Sequence, residues 1–285
     1  MLDIAIIGSG PAGLSAAINA KIRNKAVEVF GPSLKKSGNL RKAEKIDNYL
    51  GFFEISGEEM VDKFIDHASK MGVKFNEGRV VQIFETGDFY TLNVENEFIE
   101  AKTIILANGI VNERSIDGET EFLGKGVSYC ATCDGPLYRG KTTVLVGDSE
   151  TAEEDVNYLA GVCKKVYYVP LNKNSNKVDP RVEIVHNDKP VAISGDKTVK
   201  SLKLKNQELD VDGVFIIKDQ VPTSQLLSGI EIENKAIKVN QNMETNFKGV
   251  YAAGDCTGKP FQVAKAVGQG LVAALQAVSY LHENS

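Results

Sequence analysis

The chain has 285 residues, of which 25% are charged and 42% apolar, and its net charge at neutral pH is −5. This length suits one large domain or two smaller ones, with the composition of an ordinary globular protein. No apolar run reaches the roughly 18 residues of a membrane span, and the acidic balance argues against general nucleic-acid binding. The first residues run straight into strand-like sequence without a signal-peptide pattern, so a cytoplasmic location is expected.

The chain opens with "MLDIAIIGSGPAGLSAAINAKIRNKAVEVFG". Ile4 to Ile7 is a short apolar run, as expected of a buried parallel strand. Gly8-Ser9-Gly10-Pro11-Ala12-Gly13 follows, then an alanine-rich helix, then Ala26 to Phe30 as a second strand. Gly8 permits a tight turn, Gly10 lets the backbone approach a pyrophosphate, and Gly13 lets the helix pack on the strand. The helix N-terminus then attracts the anion. A purely structural turn is the alternative, but the strand–turn–helix–strand context favours dinucleotide binding. The acid that often ends the second strand is replaced by Phe30-Gly31, which leaves the ribose contact open.

A second unit starts at "TTVLVGDSETAEED", residues 142–155. Val144 to Val146 reads as strand, Gly147 to Ala152 as turn and Glu153 to Ala160 as helix. Laid on the first turn, Gly8 becomes Gly147, Ser9 becomes Asp148, Gly10 becomes Ser149 and Gly13 becomes Ala152. Ser149 puts a side chain where a phosphate would come close, and Asp148 adds a like charge. At about 4 Å such repulsion costs on the order of several kcal/mol near a surface. The acids also suit a helix N-terminus, which favours them without any ligand. Val166 to Val169 is the next strand. The "PLNKNSNKVDPRVEIV" that follows is too rich in Asn and Pro for a crossover helix, so the unit is expected to be truncated there.

"GVYAAGDC" (249–256) reads as a buried strand ending in Gly254-Asp255, and Phe261 to Leu281 as an amphipathic closing helix. The expected class is α/β, with two Rossmann-like three-layer domains, the second inserted in the first. The outer domain would be discontinuous, 1–112 and 242–285, with 113–241 inserted.

Of four cysteines, Cys130, Cys133, Cys163 and Cys256, only the first two are close, as Cys-Ala-Thr-Cys followed by Asp134. Such a pair can cycle between dithiol and disulfide, and an adjacent carboxylate can move a proton as the sulfur changes state. The alternative is half a zinc site. Zinc would need two more ligands, yet Cys163 and Cys256 are isolated and only His67, His186 and His282 are present. No metal is therefore expected, and Cys163 and Cys256 read as small buried hydrophobes.

With these pieces together, the chain resembles the low-molecular-weight flavoprotein thioredoxin reductases over nearly its whole length. The resemblance rests on Gly8 to Gly13, "KIDNYLGF" with Asn48, "IILANGI" with Ala107 to Gly109, and "GVSYCATCDGP". "DGVFI" with Pro222 beyond, and "GVYAAGDC" with Gln262 after it, complete the set. It implies FAD in the outer domain, contacted by Gly8, Ser9, Gly10, Pro11, Ala12, Gly13, Gly31, Asn39 and Leu40. Asn48, Val81, Ala107, Asn108, Gly109, Gly254, Asp255, Gln262 and Val263 would complete that site. It also implies that Cys133 faces the flavin, that Cys130 attacks the disulfide of thioredoxin, that Asp134 is the acid–base residue, and that the enzyme is a homodimer.

The departures from that family sit at its NADPH site. Asp148 and Ser149 occupy the glycine-rich turn. Pro170-Leu171-Asn172 stands where a His-Arg-Arg run would grip the 2′-phosphate, and Asp219 where a glycine would precede Pro222. The pattern resembles the ferredoxin-dependent flavin thioredoxin reductases, which lack that site, so reduced ferredoxin is the expected donor and NADPH is not. A ferredoxin near about −400 mV reducing a thioredoxin near about −270 mV releases about 6 kcal/mol for two electrons. An NAD(P)H-dependent reductase with an unusual pocket, or a flavin redox sensor without turnover, are the other readings.

"LKKSGNLRKAEK" (34–45) carries Lys35, Lys36, Arg41, Lys42 and Lys45. It is either an ordinary solvated loop or a basic face that steers an acidic ferredoxin. Because one disulfide must meet first a flavin and then a protein, a rotation of the inserted domain is expected, with hinges near Asn112 to Ile116 and Gln241 to Thr245.

Overall fold

The computed structural model describes residues 1–32, 40–95, 97–109, 116–147, 150–171, 177–217 and 223–284. The chain divides into two compact units, Met1–Val111 with Pro222–Ser285, and Asn112–Val221.

The first unit starts with β1 (Leu2–Ile7), α1 (Pro11–Ile22), β2 (Val27–Phe30), α2 (Gly57–Lys70) and β3 (Lys74–Asn76). Three longer strands follow: β4 (Val80–Thr86), β5 (Phe89–Val94) and β6 (Glu97–Leu106). Ile4, Ala5 and Ile6 are fully buried, as the apolar run requires of a strand covered on both faces. β6 plays two parts. Its first half pairs antiparallel with β5, and its second half pairs parallel with β1. The order is β3-β2-β1-β6-β5-β4, so a parallel layer runs into an antiparallel meander.

The second unit holds β7 (Val127–Ser128), α3 (Ala131–Asp134), β8 (Thr142–Gly147), α4 (Glu150–Val162), β9 (Lys165–Pro170) and β10 (Glu183–Ile184). A meander of β11 (Pro190–Gly195), β12 (Val199–Leu204) and β13 (Glu208–Asp210) precedes β14 (Gly213–Ile217). β10, β9, β8, β14 and β7 form one parallel sheet in that order. The unit therefore does not stop at its second strand, because β10 adds a short third one. The described residues between β9 and β10 contain no helix, as the Asn- and Pro-rich sequence requires. Asn157 of α4 fastens that crossover instead: its amide donates to Lys177 O at 2.8 Å and accepts from Asp179 N at 2.7 Å.

The chain returns to the first unit through α5 (Thr223–Leu226), β15 (Ile232–Glu233), β16 (Ala236–Ile237), β17 (Val250–Ala252) and α6 (Val263–Glu283). β17 joins the sheet parallel to β6, and α6 lies on α1 so closely that a Cβ on Gly270 would strike the carbonyl of Ala12.

The division differs from the expected one at its second crossing. Residues 222–241 belong with the first unit, not the inserted one. Thr223 accepts a hydrogen bond from Asn108, α5 abuts β4, and Val239 packs on the core beneath α1. The stretch expected as a second hinge, Gln241 to Thr245, is likewise fastened. Met243 is buried in that core and its carbonyl accepts from Ala252 N at 3.0 Å. Of the first expected hinge, residues 112–115 lie outside the described residues and Ile116 is buried.

Candidate functional site

In the first unit the glycines of the β1–α1 turn do three different jobs. Gly8 sits at φ +116°, and a Cβ there would run into the carbonyl of Ala107. A Cβ on Gly13 would run into the carbonyl of Gly8. Both glycines are thus required by close backbone packing. Gly10 is different, because among the described residues a Cβ there would meet nothing within 4 Å. Gly10 is the N-cap of α1, has Pro11 after it, and supplies no side-chain cap. An uncapped helix N-terminus facing open space, with no acid in its first turn, is what a phosphate needs.

Around this turn the structure brings together several of the expected residues. A Cβ on Gly31 would lie 3.8 Å from Gly8 Cα, and one on Gly254 (φ +88°) would lie 2.9 Å from Ala12 Cβ. Ser9 is buried and donates to Pro32 O at 2.5 Å. Asn108 Nδ2 donates to Thr223 Oγ1 at 2.9 Å, while its buried Oδ1 has no hydrogen-bond partner among the described residues. An unmet buried acceptor costs about 1–3 kcal/mol unless a ligand donor satisfies it. Asn48 Nδ2 donates to Gln262 Oε1 at 2.8 Å, and Gln262 is the N-cap of α6, followed by Val263. Leu40 packs against the core, and Val81 is buried at the start of β4, three strands from β1. Asn39 lies outside the described residues.

Sequence reasoning missed Lys265. Its ammonium donates to the carbonyls of Gly254 at 2.9 Å and Gly258 at 2.5 Å, clamping the turn that carries Asp255. Burial pushes the Asp255 carboxyl up and Lys265 pulls it back. Burial pulls Lys265 down and Asp255 partly restores it. A cation in the first turn of a helix opposes the helix dipole, and that anomaly was the available signal.

In the second unit Cys130 and Cys133 form a disulfide, with Cα atoms 5.3 Å apart. Cys130 is the N-cap of α3, and its sulfur accepts from Cys133 N at 3.2 Å. Such donation favours a thiolate at Cys130 once the bond is reduced. Cys130 is buried, while Cys133 and Asp134 are half-buried. A buried Glu119 accepts from Ile116 N and from the hydroxyl of Tyr129, each at 2.8 Å, and so anchors the approach to Cys130. Cys256 is buried and its thiol donates to the carbonyls of Ala253 and Leu106. Cys163 is half-buried rather than fully so.

At the second nucleotide turn Gly147 remains a steric necessity, since a Cβ on it would strike Ala152 Cβ. Leu171 N donates to Gly147 O at 2.7 Å, which draws the chain after β9 against the turn. Asp148, Ser149, Asn172, Asp219 and Pro222 lie outside the described residues.

The expected basic face is largely neutralised where it is described. Arg41 pairs with Glu58 at 2.5 Å and Asp62 at 3.5 Å, and Lys45 with Glu54 at 2.5 Å and Asp47 at 3.4 Å. Lys42 is exposed, and Lys35 and Lys36 lie outside the described residues.

The family model of the pyridine nucleotide-disulphide oxidoreductases matches residues 2–270. The chain belongs to that family. Membership implies a bound flavin, and the first-unit cradle fits one: open space before Gly10, an uncapped helix N-terminus and the unmet Asn108 Oδ1. Among solved structures, a ferredoxin-flavin thioredoxin reductase from Clostridium acetobutylicum is 51% identical, with a TM-score of 0.91. The match covers 99% of this chain and 98% of that one. An atypical thioredoxin reductase from Desulfovibrio vulgaris Hildenborough is 29% identical, with a TM-score of 0.73 and 99% of both chains covered. A thioredoxin reductase from Helicobacter pylori is 33% identical over 100% of both chains. The protein is an oxidoreductase acting on a disulfide, of the thioredoxin reductase type. Among the described residues, no helix is long and apolar enough to cross a membrane.

Proposed function

We propose that this oxidoreductase carries electrons from reduced ferredoxin, through FAD held by the first unit, to Cys130–Cys133 and on to thioredoxin in the cytoplasm. The observation that carries the donor is the likeness to the ferredoxin-flavin enzyme, 51% identical across 99% of the chain. The residues of the second turn support it. Asp148 and Ser149 follow Gly147 where a phosphate cradle would need glycine, and Pro170-Leu171-Asn172 offers no cation for a 2′-phosphate. Pyridine nucleotide is therefore not the reductant in this reading.

FAD, when bound, takes up electrons singly and releases them as a pair. Gly8 to Gly13 and the start of α1 would hold its pyrophosphate, and Asn108, Asp255 and the start of α6 at Gln262-Val263 would fix the rest. Gly31, Asn39, Leu40, Asn48, Val81, Ala107, Gly109 and Gly254 complete the proposed contacts. In the second unit, two electrons and two protons convert the Cys130–Cys133 disulfide to two thiols, with Cys133 facing the flavin and Asp134 moving a proton. The Cys130 thiolate then attacks the thioredoxin disulfide, and one thioredoxin sulfur leaves as thiolate and takes up a proton. Cys133 attacks Cys130, restoring the Cys130–Cys133 bond and releasing dithiol thioredoxin. Two reduced ferredoxins, one disulfide and two protons thus give two oxidised ferredoxins and one dithiol. The first unit serves as the FAD domain and the second as the redox domain, in a homodimer.

Anaerobic mixing tests this reading. Reduced ferredoxin should bleach the flavin absorbance, NADPH and NADH should leave it at its resting level on the same time scale, and oxidised thioredoxin should restore it. Rapid bleaching by either nucleotide would replace the donor assignment with a nucleotide-dependent one. Bleaching that thioredoxin fails to reverse would point to a sensor.

A further inference from the structure

Residues 46–55 form a tight hairpin bridged at Ile46 with Ile55 and at Tyr49 with Phe52. Its base is built on Met60, and Tyr49 stacks on Phe52 and leans on Phe64. Its tip does the opposite, with Leu50 99% exposed and Phe53 81% exposed. Two large apolar side chains in water forgo the free energy of burial. Held by a packed base, they are positioned before any partner arrives. The same hairpin carries Asn48, whose amide reaches Gln262 at the start of α6. The tip therefore borders the proposed flavin cradle.

We propose that Leu50 and Phe53 form the contact for the iron–sulfur protein that delivers electrons. This rests on the ferredoxin reading above. Two arguments select that occupant. The first is area: two such side chains cover a few hundred Å², roughly, against about 1,200 Å² for a stable complex. That suits a brief electron-transfer encounter and not a second copy of this chain. The second is chemistry. The acceptor disulfide reacts with a sulfur of the second unit, whereas the donor must come up to the flavin, and the hairpin is tied to the flavin site.

The test compares the FAD-loaded wild type with a Leu50→Ser/Phe53→Ser variant in three measurements. These are flavin bleaching against reduced ferredoxin concentration, thioredoxin reduction driven by dithionite, and molar mass by light scattering. The expected result is a fall of at least tenfold in the second-order rate constant with ferredoxin, with dithionite-driven turnover and mass unchanged. An unchanged ferredoxin rate overturns the contact. A loss confined to the dithionite-driven step assigns the tip to thioredoxin instead, and a change in mass assigns it to a second copy. A wild type that ferredoxin does not reduce overturns the donor reading, and this contact with it.

Discussion

Asn48 and Gln262, 214 residues apart in the chain, are joined by a side-chain hydrogen bond of 2.8 Å. It ties the 46–55 hairpin to the N-cap of α6, the longest helix among the described residues, and both residues belong to the proposed FAD site. A neutral bond of this kind is worth about 0.5–1.5 kcal/mol. Asn48→Ala should therefore weaken FAD binding several-fold, read by fluorescence titration of the apoprotein, with little change in its thermal midpoint. Full FAD affinity in the variant would remove Asn48 from the site.

Gly10 and Gly13 sit three residues apart and should fail differently. Gly13→Ala forces a Cβ onto the Gly8 carbonyl, so the apoprotein itself should lose on the order of a few kcal/mol of stability. Gly10→Ala meets open space, so the apoprotein should unfold within about 0.5 kcal/mol of the wild type. Its methyl group would stand in the proposed pyrophosphate site, and FAD affinity should fall at least tenfold. Urea denaturation of the apoproteins beside FAD titration separates the two effects. Equal FAD affinity in Gly10→Ala would place the phosphate elsewhere.

That contrast also shows what was legible in the sequence. The β1–α1 turn and the Cys130–Cys133 pair were readable because each constraint acts between residues a few positions apart. Gly8, Gly10 and Gly13 name their own steric roles, and Asp134 follows Cys133 directly. Lys265 was legible only as a cation set against a helix dipole; its partners, and the pairing of Glu119 with Tyr129, were not, because both depend on groups brought close by folding. The second crossing was misplaced towards 241 because the polar, turn-rich sequence from 222 to 245 carries no composition change. Only packing, with Thr223 on Asn108 and Val239 on the core, assigns it to the first unit. The basic character of 34–45 was legible, but its partial neutralisation by Glu54, Glu58 and Asp62 was not.

Lys265 and Asp255 should show their coupling in the pH dependence of apoprotein stability. The folded carboxyl of Asp255 titrates above its ordinary value. The folded state therefore holds more protons than the unfolded chain between those two values, and stability falls as pH rises through that window. Lys265→Met removes the charge that pulls Asp255 down, so the decline should extend to higher pH. The folded ammonium of Lys265 titrates below its ordinary value. Wild-type stability should accordingly gain as pH rises through the Lys265 window, and the variant should lose that gain. Urea midpoints measured from about pH 4 to pH 10 test both signs, and parallel profiles would mean the two groups are independent.

The cysteines should separate cleanly by reactivity. Burial pushes the Cys256 thiol up to about 12 and also raises Cys163. At pH 8 the thiolate at Cys256 is about one part in ten thousand. After mild reduction, a brief pulse of iodoacetamide on the native protein should label Cys130 and Cys133, with Cys256 labelled only after unfolding. Peptide mass mapping reads the result. Rapid native labelling of Cys256 would contradict its burial behind Leu106 and Ala253.

Cys130→Ser tests the division of labour within the pair. Cys130 accepts the amide of Cys133, which suits the sulfur that carries the attacking thiolate, and Cys133 is assigned to face the flavin. Removing Cys130 deletes the proposed nucleophile and the disulfide but leaves the residues of the first unit unchanged. Turnover of thioredoxin should fall to background, while reduced ferredoxin should still bleach the flavin at the wild-type rate. Thioredoxin activity surviving in Cys130→Ser would reverse the roles of the two sulfurs. Loss of flavin reduction would mean that the electron donor delivers to the second unit and not to the cradle at Gly8 to Gly13.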